Sequence, residues 1–131
     1  MAVRVVGNKL QEDLDTFGEL SISVADLDKS TVNWLRRKIL YLEALVYVPD
    51  VCEDEVYDLE YCNNNIYAYY KVKDISTEEA LEEAKRLVKH IKTRGRSAEV
   101  CDAESGKVFI RVKLKPSDEL VVKRTELDTI D

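Results

Sequence analysis

Hydrophobic positions along the chain switch between a repeat near 3.6 residues and a repeat of two, and the switches predict its elements. Val3, Val5 and Val6 around Arg4 predict a short strand over 3–6 that stops at Gly7. Leu10, Leu14 and Phe17 then recur at helical spacing, and Gly18 stands where a left-handed residue ends a helix. Leu20, Ile22 and Val24 alternate with Ser21 and Ser23 as in a half-buried strand. A first long helix is expected after Ser30 as N-cap, with Val32, Leu35, Ile39 and Leu42 on one face and Trp34, Tyr41 and Leu45 on its flank. Residues 45–48 turn β-rich and halt at Pro49-Asp50.

Two hairpins follow, separated by a second long helix. A two-residue turn at Asn63-Asn64 would pair Tyr61 with Ile66, Leu59 with Ala68 and Tyr57 with Tyr70. Asparagine tolerates the positive φ of a type I′ turn, so turn chemistry and register agree. Tyr57, Tyr61 and Tyr70 then face the helices, and Asp58, Glu60, Tyr67 and Tyr69 face outward. Ser76-Thr77-Glu78-Glu79 is a capping box, and Ala80, Ala84, Leu87, Val88 and Ile91 form the buried stripe of its helix, which ends at Gly95. With Glu104-Ser105-Gly106 as a three-residue loop, the second hairpin pairs Val100 with Ile110, Ala98 with Val112 and Glu99 with Arg111. Residues 119–123 suggest a last strand, and about 124–131 a polar tail.

These elements predict an α+β fold, a mainly antiparallel sheet with two long helices packed on one face. Val24…Ser30-Thr31…Val51-Cys52 echoes Val72…Ser76-Thr77…Val100-Cys101, which suggests a degenerate β-α-β-β duplication. With 131 residues, two prolines and four glycines, the chain is read as one domain spanning 1–131. Its three cysteines are an odd count for a disulfide scaffold. No uninterrupted apolar stretch near the N-terminus resembles a signal peptide, and no window is apolar enough to span a membrane. The expectation is a soluble cytoplasmic protein with free thiols.

The search for chemistry yields no motif. His90 is the only histidine, and nothing sets a cysteine beside it. Cys52, Cys62 and Cys101 lack the close ligand spacing of structural zinc sites. Asp50, Glu53, Asp54, Glu55 and Asp58 lack the spacing and central glycine of a calcium loop. Gly95-Arg96 and Gly106-Lys107 are isolated turn glycines, with no phosphate-binding fingerprint. No catalytic residue, metal or cofactor is therefore predicted, although an enzyme with an unrecognised site stays among the readings.

Charge is distributed unevenly behind a net value of −6. Between Lys38 and Lys71 there is no basic residue but seven acids, and all seven tyrosines lie within 41–70. Residues 85–115 hold ten Lys or Arg against three acids. The first reading is a non-catalytic interaction module, an accessory or inhibitory factor of DNA-mimic type. It docks a basic protein surface through Glu53, Asp54, Glu55, Asp58, Glu60, Tyr67 and Tyr69. A solvated sheet face with ordinary charges is the plain alternative. A rival is nucleic-acid binding through Lys85, Arg86, Lys89, Lys92, Arg94, Arg96, Arg111, Lys113 and Lys115, with Trp34, Arg36, Arg37 and Lys38 as a second basic-aromatic cluster. Head-to-tail self-association of the two poles is a further possibility.

Overall fold

The computed structural model describes residues 2–37, 41–44, 52, 56–73, 76–102 and 107–123. Among them the elements run α1 (Ala2–Phe17), β1 (Glu19–Ser23), α2 (Lys29–Arg37), β2 (Tyr41–Ala44), β3 (Asp58–Cys62), β4 (Asn65–Lys71), α3 (Thr77–Thr93), β5 (Ala98–Asp102), β6 (Val108–Lys113) and β7 (Glu119–Lys123). All strand pairs are antiparallel, so the chain is α+β. Contacts gather it into two compact units, residues 1–45 with 115–131 and residues 46–114. The expected strands at 45–48, the 104–106 loop and the 124–131 tail lie outside the described residues.

The first unit holds a three-stranded sheet in the order β1-β7-β2. Residues 3–6 are helical, not a strand, because Val3, Val6, Leu10, Leu14 and Phe17 continue one helical stripe through Gly7. Leu14 is fully buried, and the Gly18 N–H closes the helix on the Leu14 carbonyl at φ +78°. Among the described residues the second helix runs for nine residues. Asp28, rather than Ser30, caps it: its carboxylate accepts the Thr31 N–H at 2.8 Å. Those bonds from the Thr31 backbone and hydroxyl hold the Asp28 carboxyl below its ordinary value. Val32 and Leu35 are buried as the stripe predicts, but Tyr41 and Leu42 leave the helix for β2 and pair with β7. An apolar run as dense as 39–46 fits either period, and Tyr41–Ala44 within it pair with β7. Ahead of β7, Lys115–Asp118 turns on Pro116, and the buried Asp118 carboxylate accepts the Lys115 N–H at 2.7 Å.

The second unit is a four-stranded sheet in the order β3-β4-β6-β5. Its first hairpin has the predicted register, Tyr61 opposite Ile66 and Leu59 opposite Ala68. Asn63 and Asn64 stand at φ 51° and 65°, both left-handed as a type I′ turn requires. The second hairpin likewise pairs Val100 with Ile110 and Glu99 with Arg111. Between the strand pairs runs α3, capped by Ser76 Oγ accepting the Glu79 N–H. Its end at Gly95 is a Schellman motif, Arg96 N–H to Ile91 O and Gly95 N–H to Lys92 O. All five stripe residues of α3 are buried, together with Leu59, Ile66, Tyr70, Ile110 and Val112 from the sheet. Each large apolar side chain so buried contributes roughly 1.5–3 kcal/mol.

Two details of the expected architecture change. The strands form two sheets rather than one. The suggested duplication is not confirmed: its first stretch contributes β2 to the three-stranded sheet and its second β5 to the four-stranded one, and residues 45–51 lie outside the described residues.

Candidate functional site

Alternation in β3, β4, β6 and β5 sends one set of side chains toward α3 and the other set to the opposite face. The outer set comprises Asp58 and Glu60 from β3, Tyr67, Tyr69 and Lys71 from β4, Phe109, Arg111 and Lys113 from β6, and Glu99 and Cys101 from β5. Registers put Glu60 beside Tyr67, Tyr69 beside Arg111, and Arg111 beside Glu99. Four strands thus bring a single arginine between two carboxylates and two phenol rings.

Arg111 uses each nitrogen of its guanidinium. Nε and Nη2 donate to Glu60 Oε1 at 3.0 and 2.7 Å, and Nη1 donates to Glu99 Oε1 at 2.7 Å. The guanidinium carbon lies 3.6 Å from the centroid of the Tyr67 ring, a cation–π stack. Tyr69 Oη donates to the same Glu60 oxygen at 2.9 Å. Burial by itself would lower the Arg111 pKa, but the hydrogen bonds to Glu60 and Glu99 raise it above the ordinary guanidinium value. Burial pushes the Tyr69 phenol up, and its bond to Glu60 adds to the effect. The Cys101 thiol is likewise raised by burial and by the Glu99 charge. The side chains of Arg111 and Glu60 are 20% and 39% exposed, so the network is half-sheltered yet open to solvent.

Of the residues expected at a docking face, Asp58, Glu60, Tyr67 and Tyr69 do share the outer face. Glu53, Asp54 and Glu55 lie outside the described residues. Tyr57 departs from its expected place. Its N–H donates to the Tyr69 carbonyl at 2.7 Å although Asp58 is the residue paired with Tyr69, so it leaves the expected pairing with Tyr70; it is 63% exposed and meets the Phe109 ring at a 45° tilt with centroids 4.6 Å apart. Tyr70 is fully buried as expected, and Tyr61 is half-buried, donating its hydroxyl to Asn64 at 3.3 Å.

The basic set divides. Lys85, Arg86, Lys89 and Lys92 stand on α3, on one side of the sheet, while Arg111 and Lys113 stand on the other. Arg86 pairs with Glu83 at 2.8 Å. Lys85, Lys89 and Lys92, with Val88, Thr93 and Val100, line an open groove of about 440 Å³ between α3 and β5. Arg36 and Arg37 end α2 in the other unit, beside a half-buried Trp34.

Two features escape a reading of the sequence alone. The tilted contact of Tyr57 with Phe109 and the bridge from Glu60 to Arg111 both cross β4 or join strands far apart in the chain. Only the Glu99–Arg111 pair could be anticipated, from the hairpin register.

Among the described residues, no group of three His, Cys, Asp or Glu side chains is placed to hold a metal ion. No helix among them is long and apolar enough to cross a membrane. No protein-family model matches the chain, and it has no significant match among the curated proteins or the solved structures.

Proposed function

We propose that the chain is a protein-interaction module that docks its partner through the outer face of the four-stranded sheet. The observation that supports this most is the fixing of Tyr67 and Tyr69 by one arginine and one glutamate. Tyrosine and arginine are the side chains that most often anchor interfaces. Anchors held in place before contact lose little conformational entropy on binding. Tyr57 on Phe109 extends the same face with apolar area.

A cationic partner surface, of the kind that otherwise holds nucleic-acid phosphates, fits the carboxylates of this region. Asp58 and Glu99 lie on the face, and Glu53-Asp54-Glu55 leads into β3 in sequence. Such a partner would give the chain an accessory or inhibitory role.

The test is a comparative pull-down from the native cell at low salt. Wild type is set beside Asp58→Lys with Tyr67→Ala, and beside reversal of the α3 lysines, after circular dichroism has shown all three folded. A stoichiometric protein is expected that survives nuclease, elutes with salt, and is lost only from the Asp58/Tyr67 variant. Retention of that protein by the face variant would defeat the proposal. So would recovery of nucleic acid that disappears on nuclease treatment.

A further inference from the structure

β5 ends the sheet order β3-β4-β6-β5, so one of its edges has no strand partner among the described residues. Antiparallel ladders alternate hydrogen-bonded with non-hydrogen-bonded residue pairs, which determines which backbone groups look outward. Lys113 N–H donates to Ser97 O, while Val72 N–H bonds Val108 O and Leu114 N–H bonds Ile66 O. The odd-numbered residues of β6 therefore bond β5, and the even-numbered ones bond β4. In β5 the groups of Glu99 and Cys101 turn toward β6, and those of Ala98, Val100 and Asp102 point away from the sheet.

The outward backbone of Val100 lies beside the α3 groove. Val88 and Val100 form apolar wall there, and Lys85, Lys89 and Lys92 bring three cations to it. Along a helix the first two of these lysines are about 6 Å apart. Alternate side chains on one face of an extended strand are about 6.8 Å apart. A strand added to β5 would present every second side chain toward α3, at nearly the spacing of Lys85 and Lys89.

We propose that the β5 edge binds an acidic extended peptide segment of a partner, added as a fifth strand with carboxylates at alternate positions facing Lys85, Lys89 and Lys92. The edge supplies affinity through main-chain hydrogen bonds, and the lysine row selects charge. A nucleic acid fits less well. No aromatic side chain lines the groove for base stacking, and outward amides in strand spacing match a peptide backbone. This site is on the α3 side of the sheet, so it does not rest on the outer-face reading.

Fluorescence anisotropy on the whole chain tests it, with a labelled octapeptide alternating glutamate and valine. Its controls are the glutamine counterpart, an octathymidine strand, and two forms N-methylated at every second residue in opposite phases. Binding at least tenfold tighter than the glutamine peptide is expected, with weakening in salt and loss for one N-methylated form. Amide resonances of Ala98, Val100 and Asp102 should move most on titration. Lys85→Glu with Lys89→Glu and Lys92→Glu, all at exposed positions, should lower affinity tenfold or more. Equal binding of the glutamine peptide or of both N-methylated forms would overturn the proposal. Preference for octathymidine, resonance shifts confined to other strands, or sedimentation showing that a second copy of the chain occupies the edge would overturn it as well.

Discussion

Arg111 joins Glu60 and Glu99 while stacking on Tyr67, a geometry that requires a planar fork. A lysine there would carry the same charge as a point and reach one carboxylate at a time. Arg111→Lys should therefore lower unfolding stability by about 1 kcal/mol, read as a shift of the urea midpoint at unchanged slope. The Tyr69 phenol, raised by burial and by its bond to Glu60, favours the folded state below the ordinary tyrosine range and loses that contribution as pH rises through its folded value. An ultraviolet titration should thus show Tyr69→Phe deleting a phenol that ionises above the ordinary tyrosine value. Asp28 gives the opposite sign. Its depressed carboxyl contributes stability above the ordinary value of 3.8, and the contribution disappears as pH falls through the lower folded value. Asp28→Ala should cost about 1 kcal/mol near neutrality, with the difference from wild type shrinking in acid melts.

Hairpins were the elements most legible in the sequence, and the reason is local. Asn63-Asn64 constrains the turn, and period-two burial constrains the register, so one solution satisfies both. Asn63→Ala puts an alanine at φ 51° and should destabilise by about 1 kcal/mol in thermal melts. Helix α3 was legible for a similar reason, its capping serine and apolar stripe agreeing with each other. The two misread elements lack that agreement. Val-Arg-Val-Val reads as a strand when isolated and as helix only with Leu10 and Leu14 in the same stripe. The first long helix extends too far in the sequence reading because 39–45 is apolar but for Glu43, and only the pairing of Tyr41–Ala44 with β7, far along the chain, decides it. The parity of β5 carries a prediction of its own. Hydrogen exchange should find Glu99 and Cys101 protected and Val100 between them fast, a pattern a doubly paired strand would not show.

On the scale of the whole molecule, charges that the sequence keeps in separate stretches meet, among the described residues, on one sheet face. Within the second unit, Glu60 from the acidic stretch closes on Arg111 from the basic one, and the remaining cations divide between the two sides of the sheet. The sequence shows how much charge each stretch carries, but pairing between β4 and β6 sets where it meets, and those strands are separated by α3 and β5. That is why Tyr67 and Tyr69 were legible as outward residues while their attachment to Arg111 was not.

The three cysteines are distributed in a way that has a practical consequence. Cys52 is sealed in the interior, whereas Cys62 and Cys101 are half-buried and, by alternation, belong to the face that carries Glu60 and Glu99. The protein thus comes with its own footprinting reagents. A maleimide should mark Cys62 and Cys101 in the folded protein, Cys101 slowly because burial and the Glu99 charge raise its thiol, while Cys52 waits for unfolding. Whatever covers the sheet will then register as a protected mass in a spectrum of the unaltered chain.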